Sequence, residues 1–351
     1  MNGDGTIVFD IGGTWFRSAV YRVDGRLDAR DRRPAITFAS EPGCAVAELQ
    51  RRLVEYLVVE ARRLLRQHAV VPRAVVSMGA ALNAHTGYVL GSGPLWGPDS
   101  RAFDLLGALR HDAPEIAWTV LNDVTAALLR HVHALGPRTT GRTALVTISS
   151  GIACRVFDHA RSCVPVDPHH GLQGEIGHLP VRCNFAGRVV ELRCDCGGAN
   201  HLAAFASGRG LAALLAHAAA LPGGGFGQSK LARTKSPTVA QLAEAALAGD
   251  TWSNHLITAA TEPLASVLAV MLTHDPELDP ILLVGGVAAA LGDLLVDVVC
   301  WHLETQGLYQ VLPLDPHYFR NRIRLGFLDD DSGLLGCGIA AASAPGAEAN
   351  V

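Results

Sequence analysis

Two short segments, Gly174-Glu175-Ile176-Gly177-His178 and Cys194-Asp195-Cys196-Gly197-Gly198-Ala199-Asn200-His201, concentrate reactive side chains within 28 residues. Glu175 and His178 put a carboxylate and an imidazole three positions apart, groups that can grip hydroxyls or move a proton. Cys194 and Cys196 offer two thiols one residue apart, with His201 five positions after the second and His178 sixteen before the first. That donor set suits a tetrahedral S2N2 zinc site, while reduced thiols and histidines sharing a polar loop would show the same spacing.

A different chemistry is offered near the N-terminus. Residues 6–11 read as a buried strand, Gly12-Gly13-Thr14 as a turn and residues 15–21 as a second strand. Glycines let backbone N–H groups close on an anion, and Asp10 at the strand end suits a hydrated divalent cation. An ordinary hairpin has the same pattern, but here it recurs: residues 143–148, a turn at Ser149-Ser150-Gly151, then residues 152–157. The recurrence points to a duplicated fold. Between the two hairpins, a strand over 117–121 delivers Asn122-Asp123 to a helix over 124–134. A carboxylate there is held rigidly and favoured in its charged form by the helix dipole, although either residue is also a natural helix N-cap.

The elements that must carry these groups alternate between helix and strand, the pattern of an α/β protein. In the first half a helix is expected over 45–67, a strand over 74–78 and a helix over 103–110. In the second, helices are expected over 202–221, 238–247 and 252–272. Residues 222–230 are rich in glycine and superficially suggest a phosphate loop. They lack the preceding strand and the Lys-Ser/Thr placement, so they are read as a flexible connection.

Taken in order, these motifs resemble the actin-like, sugar-kinase superfamily and, within it, the ROK family (repressor, open reading frame, kinase). The resemblance covers most of the chain. The phosphate hairpin corresponds at Asp10, Gly12, Gly13 and Thr14, the catalytic pair at Asn122-Asp123, and the Gly-Glu-x-Gly-His signature at Gly174 to His178. The family's Cys-x-Cys-Gly-x-x-Gly-Cys run is matched by Cys194, Cys196 and Gly197, with Asn200 in place of the second Gly and His201 in place of the last Cys. Imidazole keeps a zinc donor there. The run from Ile281 to Val287, with Gly285 and Gly286, is similar to the family's adenosine-side strand and turn, and the run from Asp330 to Gly336 to the start of its C-terminal helix.

The resemblance implies two actin-like (ribonuclease H-like) α/β domains with an interdomain cleft. The first would span 1–120, joined by a C-terminal helix over about 330–351, and the second 121–329, with the zinc segment at 174–201. It implies an ATP-dependent kinase with Asp123 as catalytic base, Asp10 holding Mg²⁺ through water, and backbone groups of Gly12, Gly13, Thr14, Ser150 and Gly151 around the phosphates. Gly285 and Gly286 would serve the nucleotide. Asn122, Asp123, Glu175 and His178 would surround a polyol acceptor. A structural Zn²⁺ would be bound by His178, Cys194, Cys196 and His201, with Cys183 as the spare thiol. A homodimer is expected.

Two departures from the family pattern bear on the substrate. The second phosphate turn usually reads Gly-Thr-Gly-x-Gly but is Ser149-Ser150-Gly151-Ile152-Ala153 here, so its nucleotide grip is expected to differ. Ser92 stands where family hexose kinases carry a sugar-binding Asn, and a hydroxyl lacks the reach and one hydrogen-bond function of an amide. Trp96, four residues on, either stacks on the acceptor or packs. Glucose is therefore expected to be a poor acceptor. Relatives with altered sugar loops include kinases of the C7-cyclitols of aminocyclitol antibiotic pathways, and a C7-cyclitol is the favoured acceptor. A glucokinase-like hexose kinase, a non-catalytic sugar-sensing ROK protein and a hydrolytic ATPase are the alternatives; Asp10, Asp123 and Glu175 together argue against the sensor, and the Glu175/His178 pair against the ATPase.

At 351 residues and 49% hydrophobic content the chain can bury a sizeable core. A net charge of −4 without a long Lys/Arg run disfavours nucleic acid, and the position of Asp10 leaves no room ahead of it for the family's DNA-binding domain. No membrane partner is expected, because the apolar runs are broken by Glu262 and Pro263 in one case and by Asp293 and Asp297 in the other. No signal peptide is visible, and eight cysteines without a disulfide-like framework suit a reduced cytoplasm.

Overall fold

The computed structural model describes residues 4–97 and 101–343; positions 1–3, 98–100 and 344–351, including the end of the helix expected to reach 351, lie outside the described residues. The chain divides into two compact units, one made of Met1–Thr139, Val164–Gln173 and Asp329–Val351, the other of Thr140–Cys163 and Gly174–Leu328.

The first unit runs β1 (Gly5–Ile11), β2 (Trp15–Arg22), β3 (Leu27–Pro34), α1 (Val46–Gln67) and β4 (Arg73–Met78). It continues through three short strands β5 (Ala81–Asn83), β6 (Tyr88–Gly91) and β7 (Phe103–Asp104), with α2 (Gly93–Trp96) between the last two, then α3 (Leu105–Asp112), β8 (Ala117–Asn122) and α4 (Asp123–Leu135). The main sheet has the order β3-β2-β1-β4-β8, with β1, β4 and β8 parallel. Strand alternation sorts its two faces. Ile7, Phe9 and Ile11 pack with Leu49, Leu53 and Leu57 of α1 and Leu105 and Leu109 of α3. Val8, Ala19 and Val75 pack instead with Ala126 of α4 and with Leu334, Cys337 and Ala341 of the C-terminal helix Ser332–Ser343. Apart from the buried Thr6, central β1 is therefore apolar up to Asp10, as expected of a strand covered on both faces.

This packing moves the expected boundary. Ala126 shares a core with the C-terminal helix, so α4 belongs to the first unit and the division falls after Thr139 rather than at residue 120. Val164–Gln173 also belongs to it; the Asn83 side-chain amide donates to the His169 carbonyl at 3.2 Å.

The second unit repeats the hairpin with β9 (Arg142–Ile148) and β10 (Ile152–Asp158), followed by β11 (Cys183–Phe185), β12 (Arg188–Val190), α5 (Ala203–Ala206), α6 (Gly208–Ala220), α7 (Val239–Leu247) and α8 (Thr251–His274). It closes with β13 (Leu278–Val284), α9 (Gly286–Leu291), α10 (Asp293–Gln306), α11 (Tyr318–Arg322) and β14 (Ile323–Leu325), the sheet order being β10-β9-β13-β14. The helix expected over 202–221 is broken at Ser207, whose hydroxyl donates to the Ala203 carbonyl at 2.6 Å and accepts from the Gly210 N–H at 3.0 Å. It thereby ends one helix and caps the next. Helix α8 is long and apolar enough to cross a membrane, yet 61% of its most apolar window is buried within the protein, and Leu256, Ile257, Ala260, Leu264 and Leu268 lie in the unit's main core.

The glycine-rich segment is not a loose connection. Trp252 Nε1 donates to the Gly224 carbonyl at 2.7 Å, and Asp250 accepts from the Ser229 hydroxyl at 3.0 Å and the Lys230 N–H at 2.8 Å. Burial opposes the charge of Asp250, but the N–H groups of Lys230 and Ser253 and the hydroxyls of Ser253 and Ser229 outweigh it and hold its pKa at about 2.

Candidate active site

The first glycine turn joins β1 to β2. Register sets Asp10 opposite Arg17 on β2 and opposite Ser77 on β4. Arg17 Nη1 lies 3.0 Å from one carboxylate oxygen and the Ser77 hydroxyl 3.2 Å from the other. Burial pushes the Asp10 carboxyl up from its usual range and Arg17 pulls against that shift. Arg17 also reaches Asp330 at 3.4 Å, while Asp329 and Asp331 pair with Arg130 and Arg30, so three consecutive aspartates pin the start of the C-terminal helix beside the turn. Gly333 stands directly over Asp10: a Cβ there would lie 2.5 Å from the carboxylate. Gly13 abuts Pro94 of α2, while Gly12 and Thr14 close the turn through N–H bonds, Gly12 to the Trp15 carbonyl and Ala35 to that of Thr14.

The bend after β4 organises the other chemical groups of this unit. Gly79 donates its N–H to Ile11 at 3.0 Å and accepts from the Ser92 hydroxyl at 2.7 Å, and the next carbonyl, that of Ala80, accepts from the Asn122 amide at 3.0 Å. The other end of the Asn122 amide accepts from the N–H groups of Val124 and Thr125, which makes Asn122 the N-cap of α4. Asp123 is the first helical residue, with one carboxylate oxygen bonded to the Val124 N–H at 2.9 Å and the other beside Gly79. Of the two readings of this pair, capping thus falls to Asn122. One expectation needs correcting. The Ser92 hydroxyl is buried and committed to Gly79 and to the Leu95 N–H, so it supports the bend under Asp123 and does not point at an acceptor. Trp96 is buried edge-on against Phe103, with ring centroids 6.0 Å apart, and packs rather than stacks on a ligand.

In the second unit, the Ser149-Ser150-Gly151 turn is fixed by backbone contacts: the Gly208 N–H to the Ser149 carbonyl at 2.6 Å, the Arg209 side chain to the Ser150 carbonyl at 3.2 Å, and the Ser149 N–H to Gly151 at 2.9 Å. Gly285, at φ +99°, abuts the Ile148 carbonyl where this turn begins, and Gly286 starts α9, so these two glycines and the second glycine turn are neighbours. The signature segment lies against β10. Gly174, at φ +65°, accepts from the Cys154 N–H at 2.7 Å, and any side chain at 174 or 177 would overlap the Cys154 or Ile152 carbonyl. Glu175 follows and accepts from Arg155 Nη2 at 3.1 Å.

His178, Cys194, Cys196 and His201 each offer one ligand atom, and the four atoms lie within 4.8 Å of one another. Cys196 Sγ and His201 Nδ1 are 3.2 Å apart, and the two imidazoles stand nearly perpendicular. A left-handed Gly197 and Asn200 tighten the knuckle, which the Cys194 N–H closes onto the Gly198 carbonyl at 2.8 Å. Two soft thiolates and two imidazoles converging at such distances fit zinc. Cys183 does not compete: it is buried on β11 with its thiol 3.4 Å from the Ala259 carbonyl.

The ROK family model matches residues 6–341. This chain belongs to the ROK family. It is 39% identical over 340 residues, 96% of this chain and 92% of the relative, to a 2-epi-5-epi-valiolone 7-kinase of Actinoplanes sp.. It is 34% identical over 352 residues, 97% and 95% of the two chains, to a C(7)-cyclitol 7-kinase of Streptomyces hygroscopicus subsp. jinggangensis. Among solved structures, a ROK family glucokinase from Streptomyces griseus in complex with glucose and AMPPNP superimposes with a TM-score of 0.70 at 19% identity, covering 97% of this chain and 100% of that one. A ROK hexokinase from Thermus thermophilus gives 0.67 at 22%, covering 95% and 97%. The fold is the actin-like ATPase fold of those ROK sugar kinases. Sequence reasoning missed Arg17, Arg155, Gly79 and Gly333; Arg17 faces Asp10 across the first hairpin, whereas the partners of the other three are tertiary, and an arginine placed inside a strand was the available signal for the first two.

Proposed function

We propose that this ROK protein is an ATP-dependent kinase that transfers the γ-phosphate to a hydroxyl of a C7-cyclitol, the primary hydroxymethyl being the favoured position, within an aminocyclitol biosynthetic pathway. The observation that carries this reading is the near full-length similarity to two cyclitol 7-kinases, with Asp10, Asn122-Asp123 and Glu175 in the family's motif positions. Asp123 accepts the hydroxyl proton as the acceptor oxygen attacks the γ-phosphorus; the new P–O bond forms as the bond to the β,γ-bridging oxygen breaks, and ADP departs. Asn122 keeps Asp123 in place through its cap, and Ser92 does so through Gly79. N–H groups of Gly12, Gly13, Thr14, Ser150 and Gly151 receive the phosphates, with Gly285 and Gly286 toward the adenosine. Asp10 would hold Mg²⁺ through water, and the ion would supply neutralisation of phosphate charge. Glu175 and His178 hold ring hydroxyls. A structural Zn²⁺ on His178, Cys194, Cys196 and His201 would stiffen the segment that carries Glu175.

A homodimer working in the cytoplasm, without nucleic-acid or membrane partners, completes the proposal. Eight free thiols support the cytoplasmic setting and the net charge of −4 the absence of a nucleic-acid partner, while the homodimer rests on the family resemblance alone. The test is ³¹P-monitored phosphorylation of hexoses, amino sugars and C7-cyclitols with ATP and Mg²⁺. Preferential formation of a cyclitol phosphate is expected; glucose clearly outcompeting the cyclitols would leave a hexose kinase.

A further inference from the structure

Arg155 sits on β10 opposite Leu145, on the sheet face away from Ile152 and Cys154, which join the unit's main core. Its side chain is 1% exposed and heads the largest side chains so completely buried among the described residues. A buried guanidinium is costly unless paired, and its planar fork fixes whatever carboxylate it meets. Nη1 donates to the neighbouring Cys154 carbonyl at 2.8 Å, which anchors the fork, and Nη2 donates to Glu175 Oε1 at 3.1 Å. Glu175 itself is 37% exposed. The carboxylate is thus gripped from inside by a group that cannot move a proton at neutral pH, while its outer part stays accessible. Gly174, one residue before it, is tied to the same strand by the Cys154 N–H.

We propose that Arg155 is a positioning residue that sets the Glu175 carboxylate for the hydroxyls of the acceptor and so governs acceptor affinity and choice. The inference rests on the kinase reading and adds a residue to it. It is tested with the full-length protein, comparing wild type, Arg155→Met, Arg155→Lys, Glu175→Gln and the Arg155→Met/Glu175→Gln double variant on the acceptor that the wild type phosphorylates best. Loss of a hydrogen bond to a charged group corresponds to about 10- to 100-fold, so the acceptor KM should rise by that factor in Arg155→Met. The KM for ATP should stay at its wild-type value, Arg155→Lys should recover part of the loss, and the two substitutions should not multiply in the double variant. A merely structural arginine would lower the melting temperature and move kcat and both KM values alike, or multiply with Glu175→Gln, and either result overturns the proposal. Should Arg155→Met not fold, the Arg155→Lys variant carries the same test, its acceptor KM rising less. A wild type inactive on every acceptor would count against the kinase reading and this role together, whereas an active wild type whose acceptor KM is unmoved by either substitution overturns the role of Arg155 alone.

Discussion

The two glycine turns arise from the same strand–turn–strand pattern and are enclosed in opposite ways. The first follows β1, whose penultimate residue is Asp10, and is crowded by side chains: Arg17 and Ser77 on the carboxylate, Pro94 against Gly13, the Gly333 backbone overhead. The second ends β9 on Ile148, carries no carboxylate, and is held by the N-terminal residues of α6 through main-chain carbonyls, with open space around Gly151. The hairpin is common to both units, but its surroundings differ. One copy presents fixed charge suited to a metal–phosphate complex, while the other presents backbone dipoles and leaves its unit's side-chain chemistry to Glu175 and the Cys/His knuckle.

That contrast can be broken at four places. Asp123→Asn, in the charged unit, should bind ATP and acceptor yet lose at least about 10²-fold in turnover, the usual contribution of a positioned base; near-normal kcat would remove Asp123 from the mechanism. In the other unit, where the proposal places a zinc ion on the knuckle, Cys194→Ser should lower zinc from about one per chain to near none and reduce the melting temperature, as should chelation of the wild type. Unchanged zinc and stability in that variant would refute the knuckle. Gly333→Ala puts a methyl into the Asp10 carboxylate, and overpacking of this kind costs about 1–3 kcal/mol. Denaturant unfolding and the Mg²⁺ dependence of turnover should both shift; if neither does, the turn is less crowded than described. Ser150→Ala should do least, about 0.5 kcal/mol or below in stability, with a near-normal KM for ATP, because Arg209 holds the carbonyl of residue 150 and not its hydroxyl. A large loss there would mean that the second turn also works through side chains.

Features written in local pattern were legible from the chain. Strand β1 and helix α1 follow from continuous and 3.6-residue apolar spacing, and the knuckle donors sit close together in sequence except for His178. Asn122 and Asp123 were legible as a pair, but deciding which one caps the helix required the Ala80 carbonyl, 42 residues away. Ser92 shows where substitution logic fails: the type of side chain was read correctly, yet its hydroxyl is spent on Gly79, a partner no spacing rule names. Arg155 was illegible for the same reason, its carboxylate being supplied through tertiary packing, whereas Arg17 meets Asp10 directly across the hairpin and was overlooked although the register names the pair. The break at Ser207 escaped because a helical apolar pattern continues across it, and only the cap geometry ends α5.

The C-terminal helix closes the face of β1 formed by Val8 and of β2 formed by Ala19. During synthesis that face has only Ala126 of α4 to cover it until Leu334, Cys337 and Ala341 have been made, after every residue of the second unit. The unit that begins the chain is therefore the last able to finish folding, against the usual N-terminal-first order. Its half-built sheet must wait on the ribosome with an apolar side exposed, and a nascent chain stalled before residue 332 would hold a complete second unit tethered to an incomplete first one.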